Sequence, residues 1–156
     1  MTDKMSLEYR TLDNVEPELF LPVLNAPTVR AHLIDHTLFD AYSIRQWINA
    51  KLKVDATPGC RVRAIICSGQ LIGWCAIQRE KGAYEIAIVL DRTGWGFGKI
   101  IFEDIVGWAR EMGHRALQIH FLHTRHEYRF LKKISERVYT QELMGTRFTT
   151  YVLAVN

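Results

Sequence analysis

The densest chemical pattern in the sequence is Asp91-Arg92-Thr93-Gly94-Trp95-Gly96-Phe97-Gly98-Lys99. Three glycines at alternate positions separate an apolar stretch from an amphipathic one. Glycine adopts positive φ without strain and lets a ligand approach the backbone with no Cβ in the way. A helix beginning there offers about four N–H groups that have no intrahelical partner, at the positive end of its dipole. Such an arrangement suits a phosphate or pyrophosphate. Thr93, Gly94, Trp95, Gly96, Phe97, Gly98 and Lys99 are therefore the candidate cradle, and a ligand-free, glycine-rich strand–helix turn is the competing reading. A Walker A loop does not fit, because Gly94 is too close to Gly98-Lys99 and Ile100 stands where a hydroxyl residue is needed. A Rossmann fingerprint needs an acidic residue near the end of the next strand, and the stretch 119–123 has none.

Other reactive residue types are scattered. Of six histidines, His32 and His36 have the i,i+4 spacing that can suit two ligands on one helical face. They lack the intervening carboxylate of the zinc-protease pattern, so no metal site is expected. His120 and His123 flank the end of a strand candidate, where an acid/base or substrate role competes with plain surface exposure. Cys60, Cys67 and Cys75 are odd in number and not closely paired. That argues against a disulfide framework and for a reducing, cytoplasmic setting. Arg125, His126, Arg129, Lys132 and Lys133 form a basic helix face, either solvated or in contact with a phosphate.

The surrounding elements follow from period and punctuation. Residues 7–12 are a short strand candidate. Helical spacing then appears from Pro17 through Leu24, from Pro27 through Ile34, and from Asp40 through Leu52, where Tyr42, Ile44, Trp47, Ile48 and Leu52 make one apolar face. The period then changes. Residues 61–67, 71–78 and 84–90 alternate and are joined by Ser68-Gly69-Gln70 and Glu80-Lys81-Gly82, which predicts an antiparallel meander. Ile101, Ile105, Trp108 and Met112 mark an amphipathic helix ending at Gly113. Residues 116–122 form a strand, parallel to the third by the crossover rule. A helix over 124–135 and a hairpin of 138–143 with 148–155 complete the chain.

Length and composition bound the answer. The 156 residues, 48% hydrophobic and 24% charged, fit one globular domain over residues 1–156 and exclude a disordered chain. A net charge of +3 is too small to imply a nucleic-acid partner. No apolar run is long enough to span a membrane, and no signal peptide is expected.

The order of meander, glycine loop, amphipathic helix, strand and helix resembles the GNAT superfamily of acyl-CoA-dependent N-acyltransferases. That family carries Gln/Arg-x-x-Gly-x-Gly/Ala at the start of its long helix. Gly96-Phe97-Gly98 matches the Gly-x-Gly, while Thr93 replaces Gln/Arg with Arg92 adjacent. Further on, the family's Asn-x-x-Ala-x-x-Phe/Leu-Tyr-x-Lys is met by Thr124 for Asn, Phe130 at the apolar position, Leu131 for Tyr, and Lys133. The N-terminal helices, including residues 25–33 and Trp47, are similar to the branch that holds ribosomal-protein acetyltransferases.

The resemblance implies an α/β (α+β mixed-sheet) fold: an antiparallel meander followed by a β-α-β unit, a helix and a C-terminal hairpin. It also implies transfer of an acetyl group from acetyl-CoA to a primary amine, on a small molecule or a peptide, by direct attack in a ternary complex. Backbone groups of Ile88 and Leu90 would pair with the pantetheine arm, and an N–H near Val89 would face the oxyanion. Thr124 joins the cofactor-binding residues. Glu85 is the implied base, against an ordinary strand-end carboxylate. Leu131 cannot donate a proton, so Tyr128, one turn earlier, is either the acid for the departing thiolate or a packing residue, with Tyr139 and Tyr84 as weaker alternatives. Two rival readings remain: an acyl-CoA-binding module without catalysis, and an interaction domain without cofactor. A homodimer is a possible state.

Overall fold

The computed structural model describes residues 6–31, 37–122, 129–143 and 145–155. Strands β1 (Leu7–Arg10), β2 (Arg61–Cys67), β3 (Gln70–Glu80), β4 (Ala83–Leu90), β5 (Ala116–Leu122), β6 (Ser135–Leu143) and β7 (Thr146–Ala154) make one sheet. Its seven strands are ordered β1-β2-β3-β4-β5-β7-β6. All neighbours are antiparallel except β4 and β5. The sheet is thus the expected mixed one, with two additions. β1 pairs with β2, and β7 lies between β5 and β6.

Turn chemistry sets the meander. Ser68 and Gly69, and again Lys81 and Gly82, all have positive φ, between 50° and 82°. Two consecutive left-handed residues make the hairpin turn whose twist matches the flanking strands. The second turn closes on the pair Glu80–Ala83.

Helices cover both faces. On one face lie α1 (Phe20–Leu24), α2 (Pro27–Arg30) and α3 (Ala41–Asp55), packed on Val62, Ala64, Trp74, Ala76 and Val89. On the other lie α4 (Gly98–Glu111) and α5 (Arg129–Ile134), packed on Ile77, Ile86, Leu117, Ile119 and Tyr151. α4 buries Ile101, Phe102, Ile105 and Ala109. Each large apolar side chain fully buried there contributes about 1.5–3 kcal/mol. α3 starts in a capping box: Asp40 accepts from the Tyr42 and Ser43 amides, and the Ser43 hydroxyl accepts from the Asp40 amide.

Several expected boundaries move. The strand expected over 7–12 stops at Arg10, and Leu12 is instead buried in a 3-10 turn, Leu12–Asn14. The first helix opens as a 3-10 turn, Pro17–Leu19, with no side-chain cap. Tyr42, expected on the apolar face of α3, is 72% exposed, because Ile44 and Ile48 make the contact. Ser135 already belongs to β6, so the helix expected over 124–135 ends at Ile134. Leu33 and Ile34 lie outside the described residues.

Candidate active site

The site begins where two strands part. β4 pairs with β5 at Glu85–Gln118 and Ile86–Ile119, and the ladder ends there. On its other edge β4 stays paired with β3 as far as Leu90 opposite Gly73. The hairpin pair Glu80–Ala83 and the bond from the Asp91 N–H to the Ile72 carbonyl (2.8 Å) bracket the alternation along β4. Between them, Glu85, Ala87 and Val89 turn their backbone groups to β3, whereas Ile88 and Leu90 turn theirs toward the parting. Val89 therefore gives its own N–H to the β3 side, and its side chain is buried. Of the amides near Val89, those of Ile88 and Leu90 are the ones that face the parting. Gly73 permits this arrangement, since a Cβ there would lie 2.0 Å from the Val89 carbonyl oxygen.

The glycine cluster follows at once. Residues Arg92–Phe97 form a 3-10 helix that runs into α4 at Gly98. None of Gly94, Gly96 or Gly98 has positive φ, which corrects the conformational part of the sequence argument. Their value lies in space instead. A Cβ at Gly96 or Gly98 would meet nothing within 4 Å, whereas one at Gly94 would meet Ile72 Cδ1 at 3.0 Å. Gly96 and Gly98 thus leave the start of α4 open to a bulky anion, and Gly94 packs against the sheet. Phe97, the residue before α4, supplies no side-chain cap. Thr93 is engaged locally: its amide and hydroxyl donate to Asp91 Oδ1 at 3.0 and 2.5 Å. Trp95 is 53% exposed. Lys99 Nζ stands 5.8 Å from the centroid of Phe130 on α5, beside the exposed Arg129, Lys132 and Lys133. Thr124 and Tyr128 lie outside the described residues.

Residue alternation sorts the reactive side chains by face. Glu85 shares the α3 side of the sheet with Ala87 and Val89. Gln118 and His120 point the same way, because Leu117 and Ile119 belong to the opposite core. Register adds Thr150 and Tyr139 to this side, opposite His120 and each other. Burial, and then the nearby Glu80, raise the Glu85 carboxyl above the usual range, while Lys51 and the Gln78 side chain oppose them. Lys51 reaches in from α3: its Nζ donates to Gln78 Oε1 at 2.9 Å and lies 4.8 Å from the Trp74 ring centroid. Burial lowers the Lys51 ammonium, against the pull of Glu85 and Glu80. Burial also lowers the His120 imidazole, against Glu80. His120 Nδ1 is 2.7 Å from the buried Thr150 hydroxyl, which accepts from Gln141 Nε2 at 2.8 Å.

Two tyrosine alternatives separate. Tyr84 is on the α4 side, its ring 4.3 Å from that of His114, so it does not share the Glu85 face. Tyr139 does share it, with the Arg137 guanidinium 4.8 Å from its ring. Leu131 is 2% exposed in the α4-side core. Lys51, Gln78, Glu80 and Thr150 were not singled out from sequence. They lie on three elements far apart in the chain, α3, β3 and β7, and no spacing rule links them.

No known family profile matches the sequence, and neither does any curated protein. Solved structures do. The Salmonella typhimurium acetyl transferase that modifies the N-terminal serine of ribosomal protein L7/L12 superposes with a TM-score of 0.76 at 15% identity, over 98% of this chain and 97% of that one. A Chromobacterium violaceum protein assigned to the GNAT acetyltransferase family gives 0.70 at 12% identity, over 99% and 90% of the two chains. The fold is that of the GNAT acetyltransferases. A third GNAT-like neighbour, the L7/L12 α-N-protein acetyltransferase RimL in complex with coenzyme A, gives 0.72 at 14% identity, over 97% and 95%. In the GNAT fold seen here the parted strands, the glycine-opened start of α4 and the Glu85 face lie in one continuous stretch of chain. Among the described residues no group of three potential metal ligands occurs, and no helix is long and apolar enough to cross a membrane.

Proposed function

We propose that this protein transfers an acetyl group from acetyl-CoA to a primary amine. The observation that carries the reading is the end of the β4–β5 ladder at Ile86, followed directly by the glycine-opened start of α4. The first offers backbone donors and acceptors at Ile88 and Leu90 to the amides of pantetheine. The second offers backbone N–H groups to the pyrophosphate. Thr93 and Trp95 through Lys99 line that cradle with Gly94 packed behind them, Thr124 is a further candidate for it, and the basic face of α5 supports the 3′-phosphate.

An ammonium has no lone pair, so the acceptor must first lose a proton. Glu85 takes it, directly or through one water. Burial and Glu80 raise this carboxyl toward the working pH, which is the direction a general base needs. The freed amine attacks the thioester carbonyl, and the developing oxyanion is met by a β4 amide facing the parting, Ile88 or Leu90. The tetrahedral intermediate collapses and the thiolate leaves. Leu131 offers it no proton. Tyr128 stays a candidate acid, with Tyr139 the described phenol on the correct face. The acceptor is a small-molecule or peptide amine, the setting a reducing cytoplasm, and residues 1–156 act as one domain.

Calorimetry with CoA, followed by thiol release on a panel of amines, tests the reading. Binding with turnover is the expected result. Failure to bind CoA overturns the proposal. Binding with no turnover on any amine selects the non-catalytic acyl-CoA module, which the burial of Leu131 favours.

A further inference from the structure

One half-buried cation takes no part in the chemistry just described. Lys51 comes from α3, outside the strands that hold the site, and is enclosed between Trp74 and Gln78. A lysine held this way loses hydration and side-chain freedom, so a compensating interaction is required. Its ammonium donates a hydrogen bond to Gln78 Oε1, at 2.9 Å. Gln78 is the direct cross-strand partner of Glu85. An amide is a two-ended bridge: its oxygen accepts from the ammonium while its NH₂ is left to donate.

We infer that Lys51 is a positioning residue that acts through Gln78 to keep Glu85 ionised and aimed at the acceptor. This rests on the proposed role of Glu85 as base. Among the described residues, the groups facing Glu85 are Lys51 from α3, Gln78 and Glu80 from β3, and Gln118 and His120 from β5. Lys51 is the only ammonium among them, and Glu80 the only other carboxylate. The pair therefore acts on Glu85 in opposite senses, one favouring its charge and the other opposing it. Burial lowers the His120 imidazole pKa, against Glu80, so it disfavours rather than adds a second positive charge on this side.

Opposite senses give a signed test. The Glu85 carboxyl is followed by ¹³C NMR titration of the folded protein, and in parallel the acid limb of kcat is measured at saturating substrates. Lys51→Met should move both midpoints up by roughly 1 pH unit, at the low end of the range for losing a nearby opposite charge. Lys51→Arg should restore them in part. Gln78→Leu should also move them up, and Glu80→Gln should move them down. A purely structural Lys51 would change expression or melting temperature and leave the midpoints in place, and that result overturns the inference. If Lys51→Met does not fold, the Gln78→Leu and Glu80→Gln pair decides alone: unshifted midpoints in both overturn it. The two readings fail separately. An acid limb that persists in Glu85→Gln removes Glu85 as base, whereas an NMR midpoint indifferent to Lys51 removes the relay.

Discussion

Gly98 allows ligand binding and folding to be pulled in opposite directions. Its backbone is already helical, with φ −54° and ψ −43°, and a Cβ there would meet nothing within 4 Å. Gly98→Ala therefore costs the folded state no contact, while it restricts the unfolded chain. At a compatible position this exchange stabilises by about 0.4–1 kcal/mol. For a chain of this length that corresponds to a rise in Tm of roughly 1–4 °C. If the open space above Gly98 serves the pyrophosphate, the same methyl should weaken CoA binding at least about tenfold, near 1.4 kcal/mol. Calorimetry gives the affinity and differential scanning fluorimetry the stability. Gly94→Ala is the control, since its Cβ would lie 3.0 Å from Ile72 Cδ1 and 3.2 Å from Leu90 Cδ2 and should lower Tm. A Gly98→Ala protein that melts higher and binds CoA as the wild type does would refute the assignment of this glycine to the ligand.

Glu85→Gln should lower kcat by about 10²–10⁴ with little change in CoA affinity; a wild-type rate would show the carboxyl to be peripheral. The same variant bears on stability. Folding raises the Glu85 pKa above its ordinary value of 4.5, so its contribution is full below that pH and is lost as pH rises through the folded value. Glu85→Gln should accordingly melt higher relative to wild type at pH 7 than at pH 4, as thermal scans at both pH values would show. His120 has the opposite sign: its lowered pKa makes stability fall as pH drops from 6.5 through the folded value, and His120→Gln should flatten that limb in a pH series of denaturant melts. Leu131→Ala should destabilise by about 2–5 kcal/mol, read by urea denaturation, because the side chain is core and leaves a cavity.

Strong local patterns were legible in the sequence. Period-two alternation and paired turn residues identified β2, β3 and β4, and the apolar stripe of Ile101 and Ile105 identified α4. The parallel β4–β5 join followed from the connecting helix. Relations between distant segments were not legible. Nothing in residues 135–154 announces that β7 rather than β6 lies against β5. The polar set on the α3 side joins Lys51, Gln78, Glu85, His120 and Thr150 through register and packing alone. Spacing picked out Gly96 and Gly98 beside the start of α4, but it suggested left-handed backbone where the structure uses no positive φ and leaves spare room. Val89 shows how one residue of alternation matters: its amide faces β3, while those of Ile88 and Leu90 face the parting.

The early end of the β4–β5 ladder also gives the sheet an edge in its interior. Exposed strand edges invite other extended chains, and proteins normally blunt or cover them. Here the edge is short, running on β4 from Ile88 to Leu90. A cosubstrate bearing amides would serve as a surrogate strand, closing the sheet while it is bound. Amide hydrogens of Ile88 and Leu90 should then exchange slowly with CoA present and quickly without it, whereas those of Ala87 and Val89, already turned to β3, should change little. The cell's acyl-CoA pool would act on this protein as a folding ligand, stabilising it by mass action in proportion to saturation.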